Sequence, residues 1–173
     1  MPSFKENYCL KKHNTFSIAA KTKYFVEFYT EAELKNILES DIYKNNKTFV
    51  LGGGSNILLV KDFDGLVLHN KILGINILED NNTFTIVEVG AGTNWHEFVK
   101  WSISKELSGI ENLALIPGQV GSSPVQNIGA YGMEVKDTIT KVQAFEINKK
   151  KNRTFTNNEC KFEYRNSIFK LTL

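Results

Sequence analysis

Long apolar runs are missing from this 173-residue chain: no stretch approaches the ~18 consecutive apolar residues that a membrane-spanning helix requires. Met1 to Lys12 is polar and has no apolar h-region, so no secretory leader is expected and a cytoplasmic location is. Cysteine is scarce. Cys9 and Cys160 stand far apart, without a CxxC pair or metal-site neighbours, and read as plain thiols of a reducing compartment. His13, His69 and His96 have no companions at metal-ligand spacing, so no metal is expected. An excess of charge of one sign is missing too: 21 basic and 19 acidic residues leave +2, which gives no reason to expect a nucleic-acid surface. The one basic cluster, Lys149–Lys151 with Arg153, lies among Asn148 and Asn152 and reads as a solvated hairpin tip. No internal repeat, low-complexity tract or linker is visible.

What the chain has instead is glycine concentrated in two places. Leu113 to Gly132 holds Gly118, Gly121, Gly129 and Gly132, Pro117 and Pro124, and the pair Ser122-Ser123. Glycine permits positive φ and close approach, proline pre-sets φ, and small hydroxyls can donate to phosphate or ring carbonyl oxygens. Ile116, Val120, Val125 and Ile128 are interleaved with them, which points to a buried loop wrapped around something rather than a surface turn. The second place is Gly52-Gly-Gly-Ser-Asn56, directly after the apolar segment Thr48–Leu51. It is no Rossmann fingerprint, because the third glycine would fall at Ile57, and no Walker A loop, because no Lys-Ser or Lys-Thr follows. Taken alone it fits a tight turn as well as a phosphate-binding nest of backbone amides; paired with the second loop, a two-loop cradle for a long diphosphate cofactor explains both.

Strand-like and helix-like segments alternate. Lys23–Tyr29 reads as a strand, and Thr30 with Glu33 forms a capping box for a helix through Leu34, Ile37, Leu38 and as far as Ile42. Thr48–Leu51, Ile57–Val60, Gly65–Leu68 and Thr83–Gly90 read as further strands. Asn94 with Glu97 opens a second helix, whose apolar side is Trp95, Phe98, Val99, Ile103 and Leu107 and whose end is set by Gly109. Thr138–Asn148 and Arg153–Thr156 form a hairpin around the basic turn. Trp95, Trp101 and His96 read as structural. The chain stops on apolar residues at Leu173, so a piece of a longer chain is expected, ending as a further strand forms. An uncovered edge around Ile168, Phe169, Leu171 and Leu173 would then favour self-association.

Six motifs occur in order: Asn14-Thr-Phe16, Gly52–Asn56, Gly90-Ala-Gly-Thr-Asn-Trp-His96, Glu111–Gly118, Gly121–Gly132 and Tyr164-Arg-Asn-Ser-Ile-Phe169. Together they resemble the N-terminal half of the UDP-N-acetylenolpyruvoylglucosamine reductases, over essentially the whole chain from about residue 10; the intact Ser122–Asn127 run resembles the first of the family's two subtypes. The resemblance implies an α+β chain with the FAD-binding fold of the vanillyl-alcohol-oxidase type, two α/β subdomains (residues 1–70 and 71–173) with FAD between them. It implies that Gly52, Gly53, Gly54, Ser55, Asn56 and Ile57 hold the cofactor diphosphate, with Leu51 a further cofactor contact. Ile116, Pro117, Gly118, Gly121, Ser122, Ser123, Gln126, Asn127, Ile128, Gly129, Ala130 and Gly132 would line the flavin and the rest of the cofactor.

The family oxidises NADPH and passes the hydride through its flavin to the enolpyruvyl ether of a UDP-sugar, yielding UDP-N-acetylmuramate for peptidoglycan precursors. Hydride addition builds negative charge on the substrate's carboxylate and α-carbon, a task suited to a fork-shaped, permanent cation. The matching residue is Arg165, with Tyr164 as a neighbouring substrate contact and Asn56 as a further one. Without the resemblance, a surface salt bridge is the favoured reading of Arg165, since arginine is mostly exposed. The family's proton-donating serine and assisting glutamate lie beyond the point matching residue 173, so this length of chain is expected to bind flavin without completing turnover; full-length members are expected to be monomers. Two other readings stay open: another FAD oxidoreductase of the same fold, against which Tyr164–Phe169 argues, and a non-catalytic flavin-binding module.

Overall fold

The computed structural model describes residues 2–171. The chain divides between Leu73 and Gly74 into two compact units.

The first unit is built on a four-stranded sheet. β1 (Lys5–Cys9) pairs antiparallel with β2 (Lys21–Phe28). Helix α1 (Glu31–Glu39) follows, then the single turn α2 (Asp41–Lys44), β3 (Thr48–Leu51) and β4 (Phe63–Asn70). β4 lies between β2 and β3, parallel to both, giving the order β1-β2-β4-β3. Its residues Gly65–His69 are buried without alternation, as a central strand covered on both faces requires. Thr30 caps α1 as its sequence promises, Oγ1 accepting from the Glu33 amide at 3.1 Å, and Leu34, Ile37 and Leu38 face inward. The helix stops short of Ile42 because Ser40 intervenes: its hydroxyl donates to the Ile37 carbonyl at 2.6 Å and accepts from the Tyr43 amide at 3.2 Å, ending one helix and capping the next turn. Ile57–Val60 is no strand. Ile57 and Leu59 do pack on the core of Leu10, Phe25, Leu51 and Val67. Leu58 and Val60 face out, but no neighbouring strand is there to pair with, so the period-2 pattern marks extended chain only.

The second unit begins with the hairpin of β5 (Ile75–Asp80), which the sequence reading missed, and β6 (Thr85–Val89). Helix α3 (Trp95–Ser104) is capped by Asn94, whose Oδ1 accepts from the Glu97 amide at 3.1 Å. It ends at Ser104, five residues before Gly109: the last turn is closed by the Lys105 amide donating to the Trp101 and Ser102 carbonyls, and Glu106 already has positive φ. Ile103 is exposed rather than inward. The glycine-rich stretch then runs through two 3₁₀ turns, Glu111–Leu113 and Val120–Ser122, into the two-residue ladder of β7 (Gly129–Ala130) and β8 (Met133–Glu134). The hairpin of β9 (Lys141–Glu146) and β10 (Lys151–Thr156) turns through Lys150 in the left-handed region.

The C-terminal residues differ from the expected strand. Ile168–Leu171 form a helical turn, α4, and Phe169 packs edge-on against Phe155 with ring centroids 5.1 Å apart. Leu173 lies outside the described residues, as does the Leu171 side chain. Among the described residues no helix is long and apolar enough to cross a membrane.

Candidate functional site

In the first unit, β3 delivers Leu51 into the core, 1% exposed, so that residue offers the loop its backbone alone. The next three amides, of Gly52, Gly53 and Gly54, donate no hydrogen bond among the described residues. Three consecutive unpaired donors directly after a strand are what an anion needs from a backbone nest. The loop is shaped from behind by the segment His13–Thr15. Gly54 has φ +66°, the Thr15 amide donates to its carbonyl at 3.2 Å, and a Cβ at Gly54 would run into the His13 carbonyl. Asn14 stiffens that segment: its side chain donates to the Leu10 and Ile18 carbonyls and accepts from the Ile18 amide. The Asn14-Thr-Phe motif is thus a buttress for the first glycine loop. Ser55 is half-buried and Asn56 exposed.

Behind the buttress lies an arrangement that spacing did not reveal. His13 and His69 meet edge to face with centroids 4.9 Å apart; His13 Nε2 is 3.0 Å from the Tyr8 hydroxyl and His69 Nδ1 is 3.2 Å from Glu27. Burial holds both imidazoles below the usual histidine value, more strongly than Glu27 raises them, and His13 lowers His69 further.

In the second unit, the thing the glycine-rich stretch wraps is α3. Ile128 and Leu113 join Trp95, Val99, Ile110 and Val135 in the core, with Ile116, Val120 and Ala130 packed against it. The first turn of α3 grips the stretch through three hydrogen bonds: Trp95 Nε1 to the Leu113 carbonyl at 2.8 Å, the Leu115 amide to His96 Nδ1 at 3.2 Å, and the Trp95 amide to the Gly118 carbonyl at 3.0 Å. The Gly121 amide donates to Ala91. Ser122 and Ser123 give their hydroxyl protons to the Gln119 and Val120 carbonyls, at 2.7 and 2.8 Å, so each has only lone pairs left for a ligand. Pro117 is exposed; Gly118, Gln126 and Gly132 are half-buried or exposed.

Asn127 is fully buried with φ +44°, and both ends of its amide are used: Nδ2 donates to the Glu163 carbonyl at 3.0 Å and Oδ1 accepts from the Lys136 amide at 3.1 Å. The side chain thus ties the glycine-rich stretch to the Tyr164–Arg165 turn. Ser167 makes a second tie, donating to the Val125 carbonyl at 2.8 Å. These ties bring Arg165 over Gly129. Its NH1 donates to the Asn127 carbonyl at 3.2 Å and its NH2 to the Gly129 carbonyl. A Cβ at Gly129 would lie 2.6 Å from NH1, so only glycine admits the guanidinium here. Arg165 and Tyr131 both have left-handed φ, +52° and +51°, a conformation that costs a non-glycine residue about 1–2 kcal/mol and concentrates at functional sites.

Gly129, Ala130, Gly132, Glu134, Tyr164 and Arg165 line one open cleft of about 390 Å³. Glu134, which sequence reasoning passed over, puts its Oε1 there, buried and without a hydrogen bond, 4.0 Å from Arg165 NH1; its Oε2 is 2.5 Å from Lys136. That pairing raises the Lys136 pKa. Thr93 Oγ1 is a second buried orphan, on the segment that holds Val120. FAD is a group these residues fit: unpaired amides at Gly52–Gly54 suit a diphosphate, and the orphaned oxygens suit donors on a polar ring.

Residues 22–148 match the family described as FAD binding domain. The chain belongs to that family. Among its relatives, the UDP-N-acetylenolpyruvoylglucosamine reductase of Flavobacterium johnsoniae is 51% identical over 164 residues, which cover 95% of this chain and 48% of the relative. The crystal structure of UDP-N-acetylenolpyruvylglucosamine reductase from Thermus caldophilus superposes with a TM-score of 0.74 at 25% identity, over 96% of this chain and 56% of that one. A BBE-like 1 protein of Physcomitrella patens, 16% identical with a TM-score of 0.60 over 90% of this chain and 36% of its own, shares the fold alone. The chain spans about half the length of the curated relatives it matches.

Proposed function

We propose that this chain is the FAD-binding part of a cytoplasmic, NADPH-dependent reductase that converts the enolpyruvyl ether of UDP-N-acetylglucosamine to UDP-N-acetylmuramate for peptidoglycan synthesis. The observation that carries the reading is the shared cleft, in which Tyr164 and Arg165 meet Gly129, Ala130 and Gly132. FAD, when bound, supplies the hydride relay from NADPH. The amides of Gly52–Gly54 hold its diphosphate, with Ser55, Asn56 and Ile57 flanking them. In the second unit the backbone from Ile116 to Gly132 lines the cofactor, Gln126 included. Arg165 meets the substrate carboxylate and stabilises the charge that develops there, with three of its five N–H donors uncommitted among the described residues. Tyr164, 81% exposed and 5.2 Å from the guanidinium, flanks that carboxylate.

The test is an absorption spectrum of the purified chain with added FAD, then NADPH without oxygen. Flavin bands that bleach identify a half-reaction carried by these residues alone. Flavin bound but not bleached leaves a cofactor module that needs further chain to admit NADPH. No bound flavin overturns the assignment of both glycine loops.

A further inference from the structure

We infer that Glu134 and Arg165 together read a planar N–H/C=O edge of the ligand in this cleft, Glu134 accepting from the N–H and Arg165 donating to the adjacent carbonyl. Glu134 Oε1 is an acceptor and nothing else, it is buried, and it has no donor. Arg165 NH1, at 4.0 Å, is beyond hydrogen-bond distance. Lys136 is already committed to Oε2. Leaving a carboxylate oxygen buried and unpaired is costly, so a ligand that brings a donor to it gains what the free protein lacks.

The guanidinium beside it sets the rest of the pattern. Asn127 and Gly129 take one N–H each, which pins the fork and leaves other donors facing the cleft. An anion such as the substrate carboxylate pairs with the remaining Arg165 donors but brings no donor to Glu134 Oε1; a plain cation does the reverse. An imide or lactam edge, with N–H beside C=O, satisfies both. The pair sits on fixed supports, the φ +52° turn at Arg165 and the β7–β8 ladder that carries Glu134. Two groups implied by the proposed function carry such an edge, the flavin ring and the uracil of a UDP-sugar, so the inference rests on that function for its sources but not for its chemistry.

Blocking the N–H with a methyl group separates them. Affinities of the intact chain are measured for FAD and for FAD methylated at flavin N3, and in parallel for UDP and UDP methylated at uracil N3. A hydrogen bond to a charged acceptor is worth roughly tenfold to a hundredfold in affinity. The expected result is a loss of that size on methylation for one ligand, abolished in Glu134→Ala, with the flavin or the uracil pair showing which edge is read. Because the methylation comparison is made in the unaltered protein, it stands even if the variant folds poorly. Equal binding of methylated and unmethylated forms, or a preference that survives in Glu134→Ala, overturns the inference while leaving FAD binding intact. No binding of FAD sinks the functional reading, and the uracil pair then decides this one; no binding of either ligand overturns both.

Discussion

Single side chains here mostly hold loops in shape. Asn127 is the densest case, joining the Lys136 amide and the Glu163 carbonyl through one buried side chain. Asn127→Ala leaves both backbone groups unpaired and should cost about 1–3 kcal/mol in urea unfolding. Asn127→Asp keeps an acceptor for the Lys136 amide but buries a carboxylate against the Glu163 carbonyl, so it should cost at least as much as alanine; a milder effect would show that the Lys136 bond outweighs the lost one. The paired imidazoles of His13 and His69 make a different expectation, on pH. They face Tyr8 and Lys5 from β1, Glu27 from β2, and Lys71 and Lys12, so the cations around them outnumber the one carboxylate. Burial lowers both folded-state pKa values below 6.5, where the unfolded chain takes up the same protons. Below 6.5 the unfolded state therefore binds more protons, and stability falls as pH falls; above it the contribution is complete. Urea midpoints should rise as pH is raised toward the unfolded-state value of 6.5 and level off above it, and His69→Gln should flatten that rise. An unchanged slope in the variant would remove His69 from the account.

At the scale of elements, the second glycine loop depends on α3 more than on its own composition. Loosening the start of the helix should loosen the loop. Asn94→Ala removes the cap to Glu97 and should cost about 1 kcal/mol, read as a lower thermal midpoint. His96→Ala removes only the acceptor for the Leu115 amide, so its effect should be local: faster hydrogen exchange at Leu115 with a nearly unchanged midpoint. Protection at Leu115 that survives the change would assign the grip to Trp95 alone. Caps and helical periodicity made α1 and α3 legible in the sequence, because Thr30–Glu33 and Asn94–Glu97 are local signals. The two glycine loops were legible as loops, and Arg165 as a member of a motif. The roles inside them were not, because they depend on partners far along the chain: Glu134 faces Arg165 across 31 positions, and Asn127 reaches Glu163 across 36. Ile57–Val60 misled for the opposite reason, since alternation records which side faces the core but not whether a strand lies alongside.

For the whole molecule, the division between Leu73 and Gly74 has a physical consequence that needs no ligand. The Lys71 amide still belongs to the first unit, donating to the Phe28 carbonyl at 2.9 Å, while the Gly74 carbonyl belongs to the second, accepting from the Gly90 amide at 2.8 Å. Leu73 lies between these two bonds and is 64% exposed. Each unit has an internal core, Leu10, Phe25, Leu51 and Val67 in one and Trp95, Val99, Leu113, Ile128 and Val135 in the other. A protease needs several residues of locally opened chain, and the cheapest place to open is where backbone bonds to either side are fewest. Thermolysin, which cuts before large apolar residues, should make its first cut at Leu73 and leave two fragments that resist further digestion. The amide pair Lys71–Phe28 sets the upper limit of the opening on one side and Gly90–Gly74 on the other, so the first cut should stay within residues 71–75 as protease is increased. A first cut inside β5, whose exposed Ile77 and Leu78 are the nearest competing apolar sites, would show that this hairpin opens more easily than the junction and that the second unit's stable part begins later, nearer α3.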